Sequence, residues 1–383
     1  MRIFRYFTVV FIMFAAGGAW AVEVNCDYAI LMDYDTGEIL YQKKADDIVA
    51  PYSMTKIMTA HVIFDMLGKG LFSIDDKFKV SIRAWRQDGT RMYLEPEWKI
   101  TVDDLLSGMI VVSGNDAAVT LAEGSSGTIA NFVEKMNETA KNMNLMNTHY
   151  ENPTGLYEKT HYMSVYDLAI LSQSLIKNHG EYYSKYFSQQ SFTFNNITQR
   201  NKNTLLTDYD GTDGIKIGNT ERGKYSMVAS TVKKGKRLIA VVAHVESEKS
   251  KVEDIKTLMD YGFEQYKYME LFKKGEILGS SKVFLSEKYK VKFCTNRDII
   301  YVAKNSEIDR VKVRLVYDEN IFKPIKKNDV VAQLVVTNGN SVNRYDLQAV
   351  DSVHDIGRFG KFLNLFLYNF ERLIFYFSKN ENS

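Results

Sequence analysis

Ser53-Met54-Thr55-Lys56 sets a hydroxyl and an amine three residues apart. On a helix that spacing puts both on one face, so the lysine can hydrogen-bond the serine and serve as its base. A serine at a helix N-terminus also meets the positive end of the helix dipole, which favours negative charge on its oxygen or on an attacked carbonyl. The pattern is cheap, and it recurs at Ser174–Lys177 and Ser230–Lys233. What sets Ser53 apart is its setting: SMTKIMTAHVIFDML follows Pro51, contains no glycine or further proline, and is apolar nearly all round. Such a segment reads as a helix buried inside a domain. Burial would desolvate Lys56, lower its pKa and make the neutral, basic form accessible.

Two further groups follow in the chain. Ser113-Gly114-Asn115 lies in the apolar stretch LLSGMIVVSGNDAAVTLA, and Lys216-Ile217-Gly218, inside GTDGIKIGNT, places one cation between glycines on a strand-like segment. S-x-N recurs at Ser341–Asn343 and Ser378–Asn380, so it decides nothing by itself. The order of all three groups carries more. Serine-lysine on a helix, S-x-N on a loop of a helical subdomain and K-T-G on a strand form the signature of penicillin-binding proteins and serine β-lactamases. The sequence resembles, more narrowly, the low-molecular-mass D-alanyl-D-alanine carboxypeptidases, serine peptidases of the S11 type. YAILMDYDTGEILYQKKAD, SGNDAAVTLAE, NMNLMNTHYENPTGL and QRNKNTLL support the likeness, which covers roughly residues 24 to 350.

The resemblance implies an α+β fold of the serine β-lactamase/DD-peptidase type: an antiparallel sheet flanked by helices, with a helical subdomain inserted between the motifs. It implies that Ser53 attacks the peptide carbonyl between two terminal D-alanines of a peptidoglycan stem peptide and that Lys56 accepts its proton. Ser113 and Asn115 would line the cleft, one relaying the proton to the leaving D-alanine and the other holding the substrate backbone. Lys216, with Ile217, Gly218 and Asn219 on the same strand, would face the terminal carboxylate, and the N–H groups of Ser53 and Asn219 would form the oxyanion hole. β-Lactams would acylate the same serine, and the reaction would need no metal or cofactor.

Ile217 departs from the family, which has threonine between lysine and glycine. Isoleucine keeps the branched shape and loses the hydroxyl, and a lost hydrogen bond to a charged group costs roughly 1.5–3 kcal/mol. The loss falls on carboxylate recognition and leaves nucleophile activation intact. Asn219 or Thr220 compensates, or the preferred substrate lacks a free carboxylate there, as in a peptidoglycan cross-link. A second departure lies in SEKSKVEDIK, where the family often has arginine and this chain offers Lys249 and Lys251. The rival readings are therefore a DD-endopeptidase and a non-catalytic cell-wall scaffold of the same fold. A β-lactamase is disfavoured, since no E-x-x-L-N segment supplies the deacylating glutamate of class A enzymes.

The elements that must position these residues are legible in outline. YAILMDYDTGEILYQ alternates and turns at Asp35-Thr36-Gly37, as a hairpin does. From about Thr101 to Lys177 the text is mostly helical, with capping-box spacing at Thr101–Asp104 and Ser164–Asp167. GIKIGNT, YSMVASTVKKG and KRLIAVVAHV read as strands with a turn at Lys234-Gly235, and KVEDIKTLMDYGFEQYK as a helix against them. Beyond about Leu271, the period-two runs KVFLSEKYKVKF, DIIYVAK and RVKVRLVY suggest a small all-β domain, with the change of texture near Lys273-Lys274-Gly275.

The ends carry an address. Arg2 and Arg5, the apolar run FTVVFIMFAA and Ala19-Trp20-Ala21 have the form of a signal peptide cleaved after Ala21. From Ile356 to Phe377, Phe359, Phe362, Leu363, Phe366, Phe370, Leu373, Ile374 and Phe377 share one helical face opposite Arg358, Lys361 and Arg372. That pattern suits an amphipathic helix lying on a membrane surface. The expected layout is a signal peptide over 1–21, a catalytic domain over 22–270, a β domain over 271–352 and an anchor helix with tail over 353–383. The site of action would be the periplasmic face of the cytoplasmic membrane.

The totals agree. The chain has 383 residues, 45% hydrophobic and 25% charged, as an ordinary globular protein does. Its net charge of +2 gives no general pull toward nucleic acid. Cys26 and Cys294 are too few and too far apart for a disulfide framework or a metal knuckle. His61, His149, His161 and His244 are scattered without metal-ligand spacing, which favours a structural role for each.

Overall fold

The computed structural model describes residues 22–219, 224–283, 286, 288, 290–321, 324–339, 341–354, 360, 362 and 366; of Asn219 only the backbone is described. The expected signal peptide and most of the amphipathic stretch Ile356–Phe377 lie outside the described residues. The chain forms two compact units that divide between Glu264 and Gln265.

In the first unit, β1 (Tyr28–Asp33) and β2 (Ile39–Lys43) form the expected hairpin. Its turn is closed by Asp33, whose Oδ1 accepts from Thr36 N at 2.8 Å and Thr36 Oγ1 at 2.6 Å. The chain then enters α1 (Lys56–Gly68), α2 (Val102–Ser107), α3 (Asn115–Ser126), α4 (Ile129–Asn142), α5 (Val165–Asn178) and α6 (Gly180–Phe187). Thr101 and Ser164 cap α2 and α5 as their spacing predicts, accepting from Asp104 N and Asp167 N. The chain returns to the sheet through β3 (Thr212–Asn219), β4 (Tyr225–Lys233) and β5 (Lys236–Val245), and α7 (Glu248–Gln265) follows.

The sheet order is β3-β4-β5-β1-β2, antiparallel throughout. Lys234 and Gly235, both at positive φ, make the two-residue turn between β4 and β5 that the right-handed strand twist favours. Alternation along the strands gives the sheet two apolar faces. Ile30, Met32, Val228, Ile239 and Val241 join Phe64, Leu105, Phe132 and Leu171 in the main core with the helical subdomain. Leu31 and Leu238 turn to the opposite face, against α7. There Gly262 lets the helix approach closely, since a Cβ on it would come within 2.5 Å of Leu238 Cδ1 and 2.8 Å of Leu31 Cδ2. Cys26, a buried free thiol beside Asp254, is pushed up to about 12 by burial and by that carboxylate.

The second unit opens with β6 (Tyr266–Phe272), which pairs with β9 (Ile299–Lys304) and so begins ahead of Lys273–Gly275. β7 (Ile277–Val283), β8 (Lys290–Cys294), β10 (Lys312–Tyr317), β11 (Asn320–Ile321), β12 (Val330–Asn338) and β13 (Ser341–Ala349) form a sheet in the order β10-β12-β13-β8-β7-β11. Phe293, Tyr301, Leu334, Val336 and Leu347 make its core. The expected all-β module is present, and so is the α+β first unit.

Candidate active site

Ser53 stands in a single 3-10 turn, Tyr52–Thr55, that runs straight into α1 and delivers Lys56 one helical step later. Lys56 is 1% exposed. Its Nζ lies 3.2 Å from Ser53 Oγ, 2.7 Å from Asn115 Oδ1 and 2.6 Å from the carbonyl oxygen of Thr154. Two of these partners are pure acceptors. A neutral amine has two N–H groups and one lone pair, so donating to Asn115 and Thr154 aims the lone pair at the serine O–H. Burial drives the Lys56 pKa well below its usual value, the nearby Lys216 lowers it further, and Asp116 opposes both.

Each partner is itself fixed. Asn115 begins α3, where its backbone N donates to Thr90 O at 2.7 Å and its Nδ2 to Asp88 O at 2.6 Å. The next residue, Asp116, is buried and accepts from Met92 N, Leu94 N and Ala117 N, which pins the loop before α2 to the start of α3. The Thr154 carbonyl belongs to the turn ENPTGL. Asn152 Oδ1 gathers Thr154 N, Thr154 Oγ1 and Gly155 N, and Thr59 on α1 donates to Pro153 O at 2.7 Å. Gly155, at φ +82°, is required: a Cβ would sit 1.8 Å from Tyr52 O, beside the nucleophile.

Ser113 closes a widened helical turn, Gly108–Val112, in the left-handed conformation with φ 67° and ψ 31°. A non-glycine residue there is uncommon and marks a site worth attention. Its Oγ is buried and has no hydrogen-bond partner among the described residues.

β3 forms the opposite wall. Gly218 lets this strand press on the serine turn, since a Cβ would meet Pro51 O at 3.1 Å and Met54 Cγ at 3.2 Å. Lys216 is 5% exposed and its pKa is pulled down to about 7, first by burial and then by Lys202 and Lys251. It makes no ion pair with a carboxylate among the described residues, so its charged neighbours are cations. Ile217 is buried, opposite Met227 in the β3–β4 ladder. Of the two candidate lysines in SEKSKVEDIK, Lys249 and Lys251, the first is 86% exposed and pairs with Glu253, while the second is 1% exposed and donates to Glu248.

The structure thus brings Ser53, Lys56 and Asn115 into one hydrogen-bonded corner, sets Gly218 against it and couples Lys216 to it through charge. Ser113 lies two residues before Asn115 on the loop leading into α3. The sequence reading gave no role to Thr154, Asn152, Asp116 or Lys202. The ENPTGL segment was visible as part of the likeness, but its contribution is a backbone carbonyl, which no side chain advertises.

The family model for D-alanyl-D-alanine carboxypeptidase, peptidase S11, matches residues 15–247. The chain belongs to this family. The model for the C-terminal domain of penicillin-binding protein 5 matches residues 266–355. The D-alanyl-D-alanine carboxypeptidase DacF of Bacillus subtilis is 36% identical over 320 residues, 82% of each chain. Penicillin-binding protein 5 of Haemophilus influenzae superimposes with a TM-score of 0.83 at 32% identity, over 88% of this chain and all of that one. Penicillin-binding protein D2 of Listeria monocytogenes, solved with ampicillin bound, matches at TM-score 0.59 and 28% identity over 64% of this chain and all of that one. The expected fold and family are therefore correct, and this S11 member is a serine-type D-Ala-D-Ala carboxypeptidase of the penicillin-binding class.

Proposed function

We propose that Ser53 is the nucleophile that releases the terminal D-alanine of peptidoglycan stem peptides, with Lys56 as its base. The observation that carries this is the 3.2 Å approach of Lys56 Nζ to Ser53 Oγ, with its other two bonds spent on acceptors. Ser53 Oγ bonds to the carbonyl carbon of the penultimate D-alanine while its proton passes to Lys56. The C–N bond then breaks, and the leaving amine takes a proton from Lys56 through Ser113, whose buried Oγ is free to relay it. Water, deprotonated by Lys56, then bonds to the acyl carbon; the C–Oγ bond breaks and Ser53 Oγ takes its proton back from Lys56.

The carbonyl oxygen takes up its negative charge between the N–H groups of Ser53 and Asn219, an arrangement worth about 2.7–4 kcal/mol per donor in acyl transfer. Asn115 holds the substrate backbone. Lys216 attracts the terminal carboxylate, aided by Lys251, while Ile217 contributes shape and no hydrogen bond. Release of D-alanine from a peptide ending in D-Ala-D-Ala, lost in Ser53→Ala, tests the assignment. No release by the parent enzyme would remove it.

Ile217 favours a second reading, cleavage of cross-links in which the scissile D-alanine carries no free carboxylate. Comparing a linear pentapeptide with a cross-linked dimer separates the two. Export through the N-terminal leader and anchoring of Ile356–Phe377 on the membrane surface complete the proposal. No helix of the described residues is long and apolar enough to cross a membrane. Deleting residues 355–383 should move the protein from the membrane to the soluble fraction of disrupted cells.

A further inference from the structure

At the far end of α1 from the nucleophile, His61 and Asp65 share one face and meet His179, which joins α5 to α6. His61 Nδ1 lies 3.7 Å from Asp65 Oδ2, and His179 Nε2 lies 3.2 Å from Asp65 Oδ1. The three donor atoms all fall within 4.8 Å of one another. Both ring nitrogens are buried without a partner in hydrogen-bond geometry. Burial of two imidazole nitrogens facing one carboxylate is costly unless something satisfies them.

We propose that His61, Asp65 and His179 bind one Zn2+, with water in the fourth position. Zinc bonds of 2.0–2.2 Å to nitrogen and oxygen set tetrahedral donors about 3.3 Å apart, so small side-chain rotations close the set. The ring of His61 is already oriented as a ligand's would be. Its Nε2 meets Ser174 Oγ at 3.1 Å, and Ser174 Oγ in turn accepts from Asn178 Nδ2 at 3.0 Å. His179 is fixed at the backbone, its N donating to Leu175 O and its O accepting from Tyr183 N. Asp65 is 38% exposed and opens the site to solvent. Lys69, a cation acting on Asp65, opposes the ion. Two imidazoles and a carboxylate suit zinc, whereas Mg2+ and Ca2+ require oxygen donors. The ion would staple α1, which carries Lys56, to the α5–α6 junction, and would take no part in the reaction.

The test uses the mature, tag-free protein stripped of metal. Calorimetric titration with ZnCl2 should give one ion per chain, and saturating Zn2+ should raise Tm by about 5 °C. Mg2+ should change nothing. Asp65→Asn and His179→Gln should abolish both effects while still forming the penicillin adduct. Absence of 1:1 binding, or an undiminished Tm rise in both variants, would overturn the proposal. Should either variant melt too low to compare, the Co2+-loaded parent protein decides: intense four-coordinate visible bands support the site, and their absence rejects it.

Discussion

The two walls of the cleft are built on opposite plans. Around Lys56 the amine is fully partnered: it meets a hydroxyl, an amide oxygen and a backbone carbonyl drawn from three segments. Asn152 and Asp116 lock those segments in turn. Around Lys216 the charge is left unbalanced. It is buried, its charged neighbours are Lys202 and Lys251, and the residue beside it has lost its hydroxyl. A self-sufficient wall can activate a nucleophile before any substrate arrives. A wall with surplus positive charge is completed only by an anion that binds to it.

The largest effect should come from breaking the first wall. Lys56→Met should reduce D-alanine release by at least about 10³-fold, and should slow penicillin acylation of Ser53 in parallel, because both need the same proton transfer. Intact-mass kinetics with benzylpenicillin read the second loss directly. An equal loss in the two assays marks an activation residue.

Breaking the second wall should act selectively. Lys216→Met should cost about 10- to 100-fold in kcat/KM on a peptide with a free terminal carboxylate and much less on its carboxyl amide. A uniform loss on both peptides would move Lys216 to the activation side.

The supports predict stability changes. Asp116→Asn leaves only one oxygen to accept from three backbone N–H groups and should cost about 3 kcal/mol, or roughly 6–12 °C in Tm. Gly155→Ala should be comparably damaging and should also disturb acylation, since its Cβ would strike the backbone next to Ser53. Thermal melts of both variants check this.

The mildest prediction concerns pH. Lys216 is charged below about 7 and neutral above it. The free enzyme should therefore lose kcat/KM on carboxylate substrates as pH rises through about 7. Lys202→Gln removes a repelling cation, which raises the Lys216 pKa and moves that falling limb upward by less than about one pH unit. A limb that stays in place would show that Lys202 does not act on Lys216.

How much of this could be read from the sequence follows from what each group contributes. Ser53 and Lys56 announce themselves by helical spacing in an apolar setting, and the hairpin, the caps of α2 and α5 and the β4–β5 turn by local chemistry. Lys216 stands out as one cation on a buried strand. Thr154 acts through its carbonyl, so its side chain gives no hint of the role. Lys202 reaches Lys216 only through tertiary proximity, as His179 reaches His61 and Asp65. In SEKSKVEDIK the choice between Lys249 and Lys251 depends on which face of α7 is turned inward, and the packed helix makes that choice plain.

The most direct test of the contrast between the walls restores the missing hydroxyl. D-alanine release by the parent enzyme and by Ile217→Thr should be compared on one stem peptide as free carboxylate and as amide, with penicillin acylation as control. The account predicts a gain of about 10- to 100-fold on the free carboxylate, with amide cleavage and the Ser53→Ala blank unchanged. An equal change on both peptides, or none on either, would contradict it.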